Sequence, residues 1–254
     1  GTLWAWGSPN NGGLGNNQTA TSYSSPIQIP GTTWGSEVSG STGISFNIKT
    51  DGTLWGWGSN SYGQLAQNDL TLRSSPVQIP GSWSKVSGTG RHSSAIKTDG
   101  TLWVWGRNRG GVLGLNQAVD NVRYSSPVQV GSGTDWKSIH IVEARALATK
   151  TDGTLWGWGN NEQGQLGQNS AGDDRSSPVQ IPGSDWDMVD CGQAGSLTIA
   201  TKTDGTLWAW GRNGWGGLGQ NNRTDYSSPV QVGSGTNWTH PYADTYNAGA
   251  LKSI

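Results

Sequence analysis

One heptapeptide, Gly-Thr-Leu-Trp-x-Trp-Gly, occurs five times in this chain of 254 residues. A repeat of roughly 50 residues built from short alternating runs is typical of propeller blades or solenoid units. Because the repeat continues from end to end, we expect one cooperative domain over residues 1–254. The five copies of the heptapeptide divide the sequence into repeats 1–51, 52–99, 100–152, 153–204 and 205–254.

Each repeat predicts about four short strands. In residues 31–80, apolar and polar residues alternate from Ile44 to Lys49 and again from Thr53 to Trp57, with Asp51-Gly52 between them. Asp-Gly between two such runs predicts a hairpin with a type I′ turn, in which both central residues have positive φ. A later Ser-Ser-Pro-x-Gln segment predicts an outer edge strand that opens at its proline. With no helical periodicity, the pattern predicts an all-β, five-bladed β-propeller with four short antiparallel strands per blade.

The two ends of the chain carry complementary parts of one repeat. Residues 250–254 align with Asn47 to Asp51, so the next residue in the pattern would be the glycine found at Gly1. We therefore expect the ring to close by pairing of the N- and C-terminal segments, with Leu251 beside Leu3. Such a latch would leave no exposed sheet edge in that blade.

Charge and composition exclude several partners and chemistries. The formal net charge is −1, whereas nucleic-acid binding needs clustered Lys and Arg, so we expect no nucleic-acid partner. No run approaches the roughly 20 apolar residues of a spanning helix, so we expect no membrane insertion. The single cysteine, Cys191, is interpreted as a small buried hydrophobe rather than a reactive thiol.

The repeat resembles that of the regulator of chromosome condensation family. The resemblance rests on Trp-Gly-x-Asn-x-x-Gly-Gln-Leu-Gly, seen at 57–66 (with Ala66 last) and 158–167, with a preceding strand that ends in Lys-Thr-Asp-Gly and a following Pro-x-x-Val/Ile. It covers all five repeats and implies a β-propeller that serves as a binding scaffold. Some members act as exchange factors for a small nuclear GTPase, and others inhibit β-lactamases or form parts of larger proteins. The family's familiar members have seven blades.

Nothing in the sequence selects a catalytic constellation. The three histidines are His92, His140 and His240, and His92 is best explained as a hydrogen-bonded residue of a blade. Zinc would need at least three close ligands, and calcium-loop spacing is absent from the acidic clusters around Asp173 and Asp185. We therefore predict a protein that is not an enzyme, with no metal and no cofactor.

Positions that change from blade to blade are the candidate binding residues. One loop position reads Asn, Tyr, Gly, Gln and Trp in successive repeats, and the residue before Ser-Ser-Pro alternates between Tyr and Arg. Tyr, Trp and Arg are enriched at binding hot spots, although drift of long loops would explain the same variation. The third blade adds two close arginines. The predicted binding set is Tyr62, Trp215, Arg107, Arg109, Tyr23, Tyr124 and Tyr226.

These features favour a non-catalytic propeller that binds a protein or takes part in assembly through its loop faces. The alternative is a lectin-like propeller, in which exposed aromatic rings stack on sugars of a glycan partner. A lectin should keep its pocket in several blades, whereas the aromatic positions here differ. We expect an extracellular, surface or virion-associated setting rather than a cytoplasmic one.

Overall fold

The computed structural model describes residues 1–117, 122–192 and 196–253. These residues form two compact units, which are described separately. The first unit contains residues 1–108 and 122–134, and the second contains residues 109–117, 135–192 and 196–253. The prediction of a single domain stays a prediction.

The first unit holds one two-stranded sheet and two four-stranded sheets. Its strands are β1 Leu3–Gly7, β2 Tyr23–Ile29, β3 Trp34–Ser41, β4 Ile44–Lys49, β5 Leu54–Gly58, β6 Arg73–Ile79, β7 Trp83–Gly88, β8 His92–Lys97, β9 Leu102–Asn108 and β10 Val122–Gln129. A short 3₁₀ turn, Asn10–Gly12, follows β1.

The second unit holds two four-stranded sheets and one two-stranded sheet. Its strands are β11 Trp136–Ile141, β12 Arg145–Lys150, β13 Leu155–Gly159, β14 Arg175–Ile181, β15 Trp186–Cys191, β16 Leu197–Lys202, β17 Leu207–Gly211, β18 Tyr226–Gln231, β19 Trp238–Ala243 and β20 Ala248–Lys252.

Every four-stranded sheet has its strands in chain order, and all neighbours are antiparallel. We call these positions a, b, c and d, so that β3, β4, β5 and β6 are the a, b, c and d strands of one blade. By the same pattern, β1 and β2 are c and d strands, whereas β19 and β20 are a and b strands. Four complete sheets and two complementary halves agree with the predicted all-β fold of about five blades.

The predicted latch stays a prediction. β1 pairs with β2, and β19 pairs with β20, each in its own two-stranded sheet. Trp4 and Trp6 in β1 are 50% and 62% exposed, whereas Trp57, at the position of Trp6 in the next blade, is 3% exposed. Ile254, the last residue of the predicted latch, lies outside the described residues.

The turn between strands b and c differs from the prediction. Gly52 has a φ of 82°, but Asp51 does not have positive φ, so the turn is not type I′. The Gly52 amide donates to the Lys49 carbonyl at 2.9 Å. The Asp51 carboxylate accepts from the amide and hydroxyl of Thr53 at 3.0 and 2.7 Å. Asp is needed here as a short side-chain acceptor, which the prediction from positive φ missed.

The proline of Ser-Ser-Pro also lies elsewhere than predicted. Strand d is at the edge of its sheet, as expected, but Pro76 is the fourth residue of β6 rather than the first. Arg73 pairs with Gly58 and Val77 pairs with Gly56, so the register shifts between them. The proline therefore occupies a bulge, where the ladder needs no amide from it.

Tryptophan forms the core of each complete blade. In the blade of β3 to β6, the Trp34 ring lies edge-on to Trp55 and Trp57, with centroids 6.3 and 5.9 Å apart. The Lys49 ammonium lies 4.1 Å from the Trp55 centroid. Similar Trp pairs recur at Trp83, Trp136 and Trp186. A few large rings therefore supply the apolar area of a chain with few other large apolar side chains.

Neighbouring blades are joined by a repeated indole bond. Within the first unit, Trp57 Nε1 donates to the Gly13 carbonyl at 3.0 Å, and Trp105 Nε1 donates to the Gln64 carbonyl at 2.7 Å. Within the second unit, Trp158 and Trp210 bond the carbonyls of Val112 and Gln165 at 2.8 and 3.0 Å. The second Trp of the heptapeptide thus connects its own blade to the loop of the preceding one.

Candidate functional site

An asparagine side chain braces the loop after strand c through two hydrogen bonds to the loop backbone. In the second blade, Asn60 Oδ1 accepts from the Leu65 amide at 2.9 Å, and Asn60 Nδ2 donates to the Asp69 carbonyl at 3.0 Å. Asn161 and Asn213 make the same pair of bonds in the fourth and fifth blades. Because this side chain substitutes for secondary structure, the residues after it can vary without loss of the loop.

Tyr62 lies in that loop, close to two arginines of the following blade. The Arg107 and Arg123 guanidinium carbons lie 5.4 and 5.2 Å from the centroid of the Tyr62 ring. Both distances are within the range of cation–π attraction. Arg123 Nη1 also lies 3.5 Å from the carbonyl oxygen of Ser61. Tyr62 and Arg107 are half-buried, and Arg123 is exposed.

The strand register explains why the two arginines meet. Arg107 and Arg123 are directly paired across β9 and β10. Like charges at paired positions repel each other, and the electron-rich face of the Tyr62 ring offsets part of that repulsion. The backbone carbonyl of Arg91 accepts from the Arg107 amide at 2.9 Å, which fixes the end of β9. Tyr62, Arg107 and Arg123 thus lie together in the first unit, and we call these three residues the Tyr62 cluster.

Sequence reasoning placed Tyr62 and Arg107 in the candidate set but missed Arg123. The feature that pointed to Arg123 is the departure of the third blade from the repeat. Its c strand, β9, extends to Asn108, whereas the other complete c strands end at glycine. That extension adds the Arg107–Arg123 pair to the ladder. Residues 118–121, between β9 and β10, lie outside the described residues.

The other predicted residues lie in different settings. Arg109 is exposed and belongs to the second unit. Trp215 is 68% exposed, and its ring lies edge-on to Tyr246 with centroids 5.7 Å apart. These two rings form an aromatic patch in the second unit. Whether any of these residues binds a partner stays a prediction.

The tyrosines before Ser-Ser-Pro are half-buried residues of d strands, where Tyr23 and Tyr226 are the first residues of β2 and β18 and Tyr124 is the third residue of β10. Tyr124 packs against a core cluster of the first unit, and Tyr226 packs against core clusters of the second. The Tyr226 hydroxyl accepts from Asn222 Nδ2 at 2.9 Å. Tyr23 pairs with Gly7 in the ladder. These contacts give the three residues a structural role, and their binding role stays a prediction.

Arginine at the same position braces its loop. Arg73 Nη2 lies 2.6 Å from Asp69 Oδ2, and Arg73 Nη1 donates to the Thr71 carbonyl at 2.8 Å. Hydrogen bonds from the Thr71 amide and the Arg73 side chain lower the pKa of Asp69. Tyr and Arg therefore alternate at a position that stabilises the end of the loop.

A polar group on the a strands of the second unit joins His140, Asp190 and the Ala243 amide. His140 Nε2 lies 3.2 Å from Asp190 Oδ1, and Asp190 Oδ2 accepts from the Ala243 amide at 2.7 Å. The His140 side chain is 38% exposed. Desolvation by the surrounding protein lowers the pKa of its imidazole more than the charge of Asp190 raises it. Burial raises the pKa of the Cys191 thiol to about 11, so it is a poor nucleophile.

The described residues show neither a metal-binding cluster nor a membrane-spanning helix. Within these residues, no cluster of three or more His, Cys, Asp or Glu side chains is arranged to hold a metal ion. Nor does this part of the chain contain a helix of the length and apolar character needed to cross a membrane.

Comparison with known proteins identifies the repeat. The family model of the regulator of chromosome condensation (RCC1) repeat matches residues 51–96, 99–143, 152–199 and 204–240, which is more than half of the chain. The chain belongs to the RCC1 repeat family. The match confirms the resemblance seen in the Trp-Gly-x-Asn motif.

The similar relatives share parts of this chain. Human protein RCC2 is 38% identical over 93 residues, which are 35% of this chain and 17% of that protein. The ultraviolet-B receptor UVR8 of Arabidopsis thaliana is 26% identical over 231 residues, which are 76% of this chain and 49% of the receptor. The chain thus spans less than half the length of these curated relatives.

Solved structures confirm the fold. Human WBSCR16 superposes with a TM-score of 0.82 at 18% identity, covering 99% of this chain and 67% of that one. Yeast RCC1 (Prp20), in a complex with Kap60, gives a TM-score of 0.81 at 18% identity, with 99% and 64% covered. A structure of Prp20p from Saccharomyces cerevisiae, studied with its binding to Gsp1p and histones, gives 0.78 at 17% identity.

Proposed function

We propose that this RCC1-repeat propeller is a non-catalytic protein-binding module and that the Tyr62 cluster is its central contact. The observation that carries the proposal is the cation–π contact of Tyr62 with Arg107 and Arg123, on a loop braced by Asn60. Tyr and Arg are the residue types that carry most of the energy at protein interfaces. A ring and two guanidinium groups in fixed positions lose little entropy on binding.

The chemistry of the cluster favours an acidic partner surface. Guanidinium groups bind carboxylates with two parallel hydrogen bonds, and the exposed Arg123 is oriented by Ser61. The RCC1-repeat protein Prp20 has been solved in complex with Kap60, which supports protein binding as the function of such propellers. The expected extracellular, surface or virion setting stays a prediction.

The first test is site-specific photocrosslinking with the full chain. A benzoylphenylalanine placed at Tyr62 should crosslink one discrete protein in extract of the native source. The same probe at Gln163, which is at the equivalent position in the fourth blade, is the matched control and should not capture that protein.

The captured protein is then purified and titrated by calorimetry. Tyr62→Ala and Arg123→Ala should each weaken binding at least tenfold, which is about 1.4 kcal/mol or more. Affinity should also fall with salt, because the contact is charged. Equal crosslinking from Gln163, or unchanged affinity in both variants, would remove the cluster from the interface. Binding of a neutral glycan in place of a protein would favour the lectin alternative.

A further inference from the structure

A buried glutamine fills the space between neighbouring blades where the repeat reads Gly-Gln-Leu. The Gln64 side chain is fully buried in the first unit. Its Oε1 accepts from the Tyr62 amide at 2.8 Å, and its Nε2 donates to the Gly90 carbonyl at 2.9 Å and to Ser59 Oγ at 3.3 Å. Gln165 in the second unit repeats the first of these bonds with the Gln163 amide, also at 2.8 Å. We call this side chain the glutamine plug.

The first blade has glycine in place of the plug, and a cleft is open there. Gly13 aligns with Gln64, and a cleft of about 340 Å³ lies beside it. Buried Leu14 and Ile44 form the apolar part of its lining, and Ser8 and Thr42 are among the polar residues. The volume is within the range of sites that hold small ligands or peptide side chains.

The partners of the plug have counterparts at this cleft. Ser8 aligns with Ser59, Thr42 aligns with Gly90, and Asn11 aligns with Tyr62. Within the described contacts, no hydrogen bond uses the Thr42 carbonyl. A carboxamide at the cleft would therefore find a hydroxyl and a carbonyl at the places that Gln64 uses in the next blade. The residues that line the cleft carry no formal charge, so a carboxylate would lose hydration without gaining a cation.

Backbone geometry does not require glycine at Gly13. Its φ of −61° and ψ of −16° are right-handed helical values, which any residue adopts. An added Cβ would lie 3.2 Å from Gly43 Cα and 3.3 Å from the Asn10 carbonyl oxygen, so the neighbours would need to move only a few tenths of an ångström. A side chain at this position therefore requires a small shift of the Gly43 backbone and of the Asn10 carbonyl.

The fifth blade provides the contrast. Gly217 also replaces the plug, but a Cβ there would lie 2.7 Å from the Tyr246 carbonyl oxygen. The space beside Gly217 is about 10 Å³, which holds at most one water molecule. Close backbone approach explains the glycine at Gly217, whereas at Gly13 the glycine leaves an open cleft.

We propose that the Gly13 cleft binds the side chain of a glutamine residue from a peptide or protein ligand. The ligand carboxamide donates to the Thr42 carbonyl and to Ser8 Oγ, and its methylene groups pack on Leu14 and Ile44. The ligand thus takes the place that Gln64 occupies in the next blade. This site is separate from the Tyr62 cluster and does not depend on the function proposed for it.

The test uses the full chain and the peptide acetyl-Gly-Gln-Gly-amide, followed by amide NMR shifts. The shifts of Gly13, Thr42 and Gly43 should saturate with a dissociation constant on the order of millimolar, as for other very small ligands. The matching peptides with Glu or Leu in place of Gln should bind at least fivefold more weakly. Ser8→Ala should weaken binding of the Gln peptide twofold or more.

The decisive variant is Gly13→Gln, which supplies the plug from the chain itself. It should abolish the peptide-dependent shifts and raise Tm by about 2–4 °C, the effect of one added buried interaction in a chain of this size. Gly214→Gln is the matched control, because no atom lies within 4 Å of a Cβ at that position. It should leave the peptide affinity unchanged.

Several outcomes would overturn the proposal. Equal affinity for the Gln, Glu and Leu peptides would show non-specific binding, and no shift at 20-fold the expected dissociation constant would show an empty cleft. Tighter binding of a neutral disaccharide than of the Gln peptide would assign the cleft to sugars. If Gly13→Gln does not fold, the peptide series and Ser8→Ala on the natural chain still decide between these results.

Discussion

The indole bonds between blades predict a large difference in stability between two substitutions of the same kind. Trp105 and Trp158 are both fully buried, and each donates to a loop carbonyl, at Gln64 and Val112 respectively. The Gln64 carbonyl has a second donor, Ser93 Oγ, at 3.0 Å. Within the described contacts, Trp158 is the one donor to the Val112 carbonyl. Replacing Trp158 by Phe therefore leaves a buried acceptor unpaired, and replacing Trp105 does not.

The magnitudes follow from these contacts. Each Trp→Phe change removes buried ring atoms, which lowers the free energy of unfolding by about 1–2 kcal/mol. Trp105→Phe also loses one hydrogen bond with net worth of about 0.5–1.5 kcal/mol, for a total near 2–3 kcal/mol. Trp158→Phe instead leaves an unsatisfied carbonyl, which costs about 1–3 kcal/mol, for a total near 3–4 kcal/mol. We expect Trp158→Phe to cost at least about 1 kcal/mol more.

The assay is urea denaturation followed by far-UV circular dichroism, because fluorescence would change with the substitution itself. Trp103→Phe and Trp156→Phe are the controls within the same blades, since their half-buried indoles bond only the neighbouring Thr hydroxyl. Each control should cost less than the buried partner. If the two units unfold separately, each variant is compared with its own unit's transition.

A rescue substitution tests the cause directly. Ala146 is fully buried and aligns with Ser93, so Ala146→Ser places a hydroxyl where the other blade has its second donor. In the Trp158→Phe background, Ala146→Ser should restore about 1 kcal/mol of the free energy of unfolding. In the natural chain the same substitution should change the free energy of unfolding much less. Equal costs for Trp105→Phe and Trp158→Phe, together with no coupling between residues 146 and 158, would refute the reasoning.

Three further predictions concern the turns, the thiol and a glycine. Bonds from the Thr53 hydroxyl and amide lower the pKa of Asp51, so its contribution to stability is complete above its ordinary pKa of 3.8 and is lost as pH falls through the lowered value. Thr53→Val should move the NMR titration midpoint of Asp51 back toward 3.8, whereas an unmoved midpoint would contradict that cause. Because burial raises the pKa of Cys191 to about 11, iodoacetamide at pH 8 should modify it only after unfolding in guanidinium; rapid labelling of the folded chain, measured by mass spectrometry, would argue against burial. Gly217→Ala should lower stability by about 1–3 kcal/mol in urea denaturation, because its Cβ would meet the Tyr246 carbonyl at 2.7 Å, and Gly214→Ala should not.

The sequence predicted the fold well because all five repeats share the same pattern of residues. Period-2 alternation located the b and c strands, and the family motif located the loop between c and d. The errors concern backbone detail within that pattern. Asp51 was assigned to a turn with two positive φ values, but its carboxylate bonds Thr53 instead. Pro76 was assigned to a strand start, but it lies in a bulge. Both depend on side-chain and ladder geometry that residue type alone does not determine.

The candidate site was harder to predict because it joins two blades. Tyr62 and Arg107 were selected separately, as variable residues of hot-spot type. Their contact depends on Arg123, which reaches Tyr62 because β9 and β10 are long enough to pair Arg107 with Arg123. The contact of Tyr62 with these two arginines joins two repeats, so no spacing within one repeat reports it. Contacts between consecutive blades are therefore where sequence reasoning on single repeats is least informative.

The repeat also explains where specific binding can occur in such a chain. The consensus polar side chains are used internally, since the second Trp bonds the preceding loop, Asn60 clamps its own loop and Gln64 fills the space to the next blade. Identical blades would offer identical surfaces, and a ligand could not prefer one of them. A preference for one blade therefore requires a departure from the consensus, either an added group such as Arg123 or a missing one such as the side chain at Gly13. These two departures present opposite chemistry, one cationic and aromatic, the other uncharged and concave, so they should select different ligands.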